Sequence, residues 1–178
     1  YEIGVRLVGS EMCIRDSPTQ MDPAYLAQSS IGQYEVAATP LQMLMVASAI
    51  ANNGVLMKPH VVKSVTGSDL KVIQTIQPEQ AGRPISEGTA KQLKQMMENV
   101  VSDGTGSPAQ ARGLTIGGKT GTAQSDPNRP PYAWFVGYAA EPHVAVVAFV
   151  QSTSVERNDI SGGKVAAPVF KAVVESLR

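Results

Sequence analysis

Apolar residues run almost unbroken from Leu41 to Ala51, which predicts a helix buried on all sides rather than an amphipathic one. Its start is written in Thr39-Pro40-Leu41-Gln42. The threonine hydroxyl can accept an orphan N–H, proline suits the first helical position, and Gln42 can close a capping box. Asn52-Asn53-Gly54 ends it, because Gly54 can adopt the left-handed conformation. The period then changes. Val61–Thr66 and Leu70–Ile76 alternate on either side of Gly67-Ser68-Asp69 and predict a hairpin. After Ser86, a capping residue, Ala90, Leu93, Met96, Met97, Val100 and Val101 recur at helical spacing until Asp103-Gly104-Thr105-Gly106 stops the helix.

Three strands are predicted next, over Leu114–Gln124, Tyr132–Ala139 and Val144–Gln151. The last two are joined by the tight Ala140-Glu141-Pro142 connection and pair naturally as an antiparallel hairpin. A helix over Gly162–Arg178 closes the chain, with Val165, Val169, Phe170, Val173 and Leu177 on one face and Pro168 in its first turns. An antiparallel sheet with helices packed on it is an α+β architecture.

Composition narrows what such a domain does. Hydrophobic residues make up 43% of the 178, enough for a sizeable core, and 15 Lys and Arg balance 15 Asp and Glu. A neutral chain has no field to draw in nucleic acid or acidic lipid, so nucleic-acid binding is not expected. The single Cys13 excludes a disulfide framework and a thiolate metal cluster. His60 beside Pro59 and His143 at a strand start lack metal-ligand spacing, and no cofactor or metal is expected. The first 17 residues, Tyr1 to Ser17, have no clean period, and GSEMCIRDS resembles translated sequencing-library adapter. We expect residues 1–17 to be non-native and 18–178 to be the protein, with its true N-terminal part missing. A short strand over Ile3–Val8 is the alternative.

Lys119-Thr120-Gly121, on the first of the three late strands, is the set able to carry chemistry. The Lys119 ammonium supplies positive charge and can hold a neighbouring hydroxyl. Gly121 clears space for a substrate backbone, and the Thr120 and Thr122 hydroxyls can bind a carboxylate. A strand N–H nearby can join an oxyanion hole. Alternation puts Lys119 and Gly121 on one face and the threonines on the other, so both sets reach a ligand only along an edge strand.

A Lys-Thr-Gly strand is one of three signatures of the penicillin-interacting serine enzymes. Ser30-Ile31-Gly32-Gln33, Thr39-Pro40-Leu41-Gln42-Met43 and Ala51-Asn52-Asn53-Gly54 also resemble the class B penicillin-binding proteins in order and spacing. So do Gly118-Lys-Thr-Gly-Thr-Ala-Gln124, Trp134-Phe-Val-Gly-Tyr138, and Gly162-Gly163 with Ala167-Pro168. The resemblance is to the actinobacterial penicillin-binding protein A type and covers Pro18 to Arg178. It implies the C-terminal half of a transpeptidase domain of the serine β-lactamase-like fold. It further implies D,D-transpeptidation of peptidoglycan, with Lys119 and Thr122 catalytic and Thr120, Gly121, Thr122 and Ala123 binding substrate. Stem peptide and β-lactams are the expected ligands, and divisome proteins are candidate partners. The implied location is the outer face of the cytoplasmic membrane, with a membrane anchor upstream.

Two of the three signatures depart from the pattern. Ser-x-Asn does not occur, and Ser-x-x-Lys occurs only as Ser68–Lys71 in the hairpin turn and Ser161–Lys164 after the Lys-Thr-Gly strand. Neither suits a nucleophile at a helix start upstream of that strand. The chain alone is therefore expected to be inactive. A non-catalytic β-lactam-sensing or peptide-binding module of the same fold is the alternative function. The loop Asp126–Pro131 reads as a plain surface connection, Trp134 and Phe135 as core, and Met43, Met45, Met96 and Met97 as core filling.

Overall fold

A computed structural model describes residues 22–31, 38–124 and 129–178. The adapter-like segment with Cys13 and the alternative strand, the Gly32-Gln33 part of one family-like motif, and residues 126–128 of the proline-rich loop lie outside the described residues.

Helix α1 spans Pro23–Ser30 and was not anticipated from the pattern, although its start follows the usual rule: the Asp22 carboxylate accepts from Ala24 N at 2.8 Å and Pro23 opens the helix. Helix α2, Pro40–Ala51, begins in a complete capping box. Gln42 N donates to Thr39 Oγ1 at 3.2 Å, and Thr39 N donates to Gln42 Oε1 at 2.6 Å. Gly54 then turns the chain at a φ of +88°, pressed so closely against the Ile85 carbonyl that a Cβ would stand 2.3 Å from its oxygen.

The next residues form two small antiparallel pairs. Strand β1 (Leu56–Met57) pairs with β4 (Gln80–Gly82), and between them β2 (Ser64–Thr66) pairs with β3 (Val72–Thr75) as the expected hairpin. The β1–β4 pair carries too few residues to show a period. Helix α3, Glu87–Asp103, starts at the Ser86 cap, where Thr89 N donates to Ser86 Oγ at 3.1 Å.

The main sheet holds β5 (Ile116–Ala123), β6 (Tyr132–Ala139) and β7 (Val144–Val150), antiparallel in that order. Register is continuous, with Lys119 opposite Val136, Gly121 opposite Trp134, and Trp134 opposite Phe149. Helix α4, Ala167–Ser176, ends the chain. It is preceded by a π-helical turn over Gly162–Ala166, so the closing element is two pieces rather than one continuous helix, and Pro168 falls in the first turn of the second.

Strand alternation divides the sheet into two faces. Ala133, Phe135 and Ala139 of β6 join Phe170 and Val174 of α4 in the larger core, where the Phe135 and Phe170 rings lie 4.7 Å apart. Tyr138 faces the other way and packs with Ile50 of α2 and Met97 of α3. The sequence pattern is corrected on this second face. Helix α2 is not buried all round: Ala47, Ala49 and Ile50 are buried, but Val46 is 51% exposed. Met97 fills core as expected, whereas Met96 is 62% exposed. Met43 and Met45 are only half-buried. The physical reason is a cleft that opens between these helices and the sheet.

Candidate active site

The cleft holds about 800 Å³. Helix α2 contributes Met43, Val46 and Ile50 to its wall, α3 contributes Leu93 and Met96, and the sheet contributes Trp134, Val136 and Phe149. The Trp134 and Phe149 rings lie 4.2 Å apart between centroids, tilted by 36°, and form part of the apolar floor. Phe135 is fully buried, as expected of core, but its neighbour Trp134 is a cleft residue.

Along one side of this apolar space runs β5, with Lys119, Thr120, Gly121, Thr122 and Ala123 all lining it. Among the described residues β5 pairs only with β6, so no strand covers its other edge, and the segment from Lys119 to Ala123 is at least partly exposed there. Cross-strand partners place Lys119 and Gly121 on the face of Val136 and Trp134, and the threonines on the face of Phe135 and Ala133. The alternation read from the sequence is therefore present, and the open edge is what lets residues of both faces border one cleft. Lys119 is exposed, and its ammonium donates to the Thr120 carbonyl at 2.8 Å.

The back of β5 is built from contacts that only glycine permits. At Gly118 a Cβ would stand 2.4 Å from the Phe135 ring. At Gly162, in the turn before α4, it would stand 2.3 Å from the Trp134 carbonyl oxygen and 2.7 Å from that of Gly121. This close approach brings Gly162 N within 3.3 Å of Thr122 Oγ1, to which it donates. Thr120 Oγ1 lies 2.8 Å from Thr105 Oγ1, in the turn that ends α3. Neither backing group was singled out from the sequence. Asp103-Gly104-Thr105-Gly106 reads there only as a helix stop, and Gly162-Gly163 only as part of a family-like motif.

Neither Ser-x-x-Lys match forms a nucleophile–base pair. Ser68 sits in the β2–β3 turn, where Lys71 pairs with Asp69 at 3.2 Å. The Ser161 hydroxyl accepts from Lys164 N at 3.2 Å as a helix cap, and the Lys164 ammonium lies 2.6 Å from the Asp159 carboxylate. That ammonium holds the Asp159 carboxyl below its ordinary value, by hydrogen bond first and charge second. Arg157 spans the loop leaving β5, donating to the Arg129 carbonyl at 2.5 Å and reaching the Gln124 side chain at 3.4 Å. His60 and His143 are exposed.

Lys-Thr-Gly on a strand bordering a cleft is one of the three signatures of the penicillin-interacting serine enzymes. The chain belongs to the penicillin-binding protein transpeptidase domain family, which it matches over residues 16–175. Over 159 residues it is 41% identical to the peptidoglycan D,D-transpeptidase PbpA of Mycolicibacterium smegmatis, covering 86% of this chain and 32% of the relative. The Mycobacterium tuberculosis protein of the same name is 39% identical over 163 residues, covering 87% of this chain and 32% of the relative. Among solved structures, penicillin-binding protein A from M. tuberculosis in its ceftriaxone acyl-enzyme complex superposes with a TM-score of 0.77 at 34% identity, over 97% of this chain and 41% of that one. Its penicillin G acyl-enzyme complex gives 0.75 at 37% identity, over 88% and 36%. The chain thus spans about a third of the length of the curated relatives it matches.

Proposed function

We propose that the complete protein is a serine D,D-transpeptidase that cross-links peptidoglycan and is acylated by β-lactams, with β5 as the ligand-binding wall of its site. The observation that carries this reading is the open edge of β5, where Lys119 and the two threonines border a water-accessible cleft backed by rigid contacts.

The chemistry needs a carboxylate held, an oxyanion stabilised and a serine activated. In this reading the stem peptide lies along the open edge as an added strand, a mode in which main-chain hydrogen bonds give affinity. Thr120 and Thr122 bind its terminal carboxylate, and Gly121 and Ala123 give the peptide backbone room. Lys119 stabilises charge that develops as the serine oxygen attacks the penultimate carbonyl. The attack forms a serine ester and releases terminal D-alanine, whose nitrogen takes the proton. An amine of a second stem peptide then attacks the ester, forming the cross-link and returning the serine. We assign that serine and its base to a part of the protein outside this chain. The work site would be the outer face of the cytoplasmic membrane, where the cross-linked polymer lies.

Labelling of the complete protein with a fluorescent penicillin, read on a denaturing gel, tests the reading. A covalent band is expected, and none is expected with the 178-residue chain alone. A folded complete protein that takes no label would instead be a non-catalytic peptide-binding relative.

A further inference from the structure

Thr120 is gripped at both ends. The Lys119 ammonium bonds its carbonyl at 2.8 Å, and the Thr105 hydroxyl lies 2.8 Å from its own hydroxyl. Thr105 is not itself part of the cleft lining, whereas Thr120 is. Its backbone is fixed from behind: a Cβ at Gly163 would stand 2.4 Å from the Thr105 carbonyl oxygen and 3.8 Å from Thr120 Cγ2. The two hydroxyls thus meet where the end of α3 comes against the turn before α4.

A hydroxyl carries one proton and two lone pairs. Where Thr120 donates to Thr105, it presents only lone pairs elsewhere and repels an anion. Where Thr105 donates to Thr120 Oγ1, the Thr120 proton is left to point toward an acceptor in the cleft. We infer that Thr105 is a positioning residue for carboxylate recognition: by donating to Thr120, it orients that hydroxyl as a donor to the ligand carboxylate. The inference rests on the transpeptidase reading and adds to it a specificity device outside the Lys-Thr-Gly-Thr strand.

The test uses the complete protein with a chromogenic cephalosporin as its free acid and as its methyl ester, which lacks the negative charge. Thr105→Val is expected to lower acylation efficiency on the acid about tenfold, roughly one hydrogen bond's worth. The loss should fall on the binding constant, with the limiting acylation rate and the thermal midpoint close to wild type. The ester should react equally with both forms. Thr105→Ser, which keeps the hydroxyl, should restore the acid reaction to within about threefold. In a Thr120→Val background, Thr105→Val should have no further effect. Should Thr105→Val fail to fold, Thr105→Ala and Thr105→Ser carry the same comparison. An equal loss on acid and ester, no loss on either, or no rescue by serine overturns the inference alone. A wild-type protein that no β-lactam acylates overturns the inference and the transpeptidase reading together.

Discussion

The two outer strands of the main sheet are built to opposite ends. On β5, three of eight residues are glycine, one is an exposed lysine, and a helix start presses on the back through contacts no side chain could share. On β7 every residue is Val, Ala or Phe, only Ala148 is buried, and no described strand covers the outer edge. Both are edges, but only one is prepared for a small ligand. A binding edge needs polar groups with fixed directions and a backing that does not give. An edge of branched apolar side chains has neither, and it pairs readily with another strand. The apolar walls of the cleft facing α2 and α3 share this second character.

The sharpest way to break the contrast is to remove the charge on β5. In the complete protein, Lys119→Ala is expected to slow β-lactam acylation by about 100–1,000-fold, the usual cost of losing one preorganised stabiliser of developing charge. The fold should be unaffected, since the ammonium is exposed and its described bond is to a neighbouring carbonyl. Chromogenic β-lactam kinetics beside thermal unfolding measure both.

Next in size is the backing. Gly162→Ala forces a methyl against the Trp134 and Gly121 carbonyls, and we expect it to cost about 3 kcal/mol. Acylation should fall with stability, because the strand and the helix start must part. A thermal midpoint within a degree of wild type would mean that the close approach does not hold β5 in place.

The β7 side makes a different prediction. With an apolar strand edge and an apolar cleft both open, the 178-residue chain should self-associate at low micromolar concentration, eluting as oligomer or aggregate in size-exclusion chromatography. A clean monomer that unfolds cooperatively would show that neither surface requires a cover.

A smaller effect should come from the interior. The Tyr138 phenol is 3% exposed and donates to Glu98 Oε1 at 2.9 Å. Burial first, then the Glu98 bond and charge, push its pKa well above the ordinary value. The protonated phenol therefore stabilises the fold fully below its unfolded value of about 10, and that contribution is lost as pH rises toward the folded value. Tyr138→Phe should cost about 1–2 kcal/mol near neutral pH and flatten the alkaline decline in thermal midpoint.

How far the residues alone led follows from range. Capping boxes and hairpin turns are local, so Thr39, Ser86 and Gly67-Ser68-Asp69 were legible with their mechanisms. The three late strands were legible too, because short strand-forming runs are set off by connections such as Ala140-Glu141-Pro142. The cap of α1 was equally local, at Asp22-Pro23, and simply lay beyond the periodic segments. Burial of α2 was misjudged for another reason. An all-apolar helix reports that something covers it, but not which surface of this chain does so. The backing of β5 was illegible because Thr105 and Gly162 meet Thr120 and Thr122 across 15 and 40 residues of sequence. Only the folded register brings those pairs together.

The most direct test of the account is a crystal structure of the complete protein acylated by a penicillin. The penicillin carboxylate is expected within hydrogen-bond distance of the Thr120 or Thr122 hydroxyl, with the Lys119 ammonium beside it and the ligand lying along the free edge of β5. A carboxylate held by groups away from residues 119–123 would contradict it.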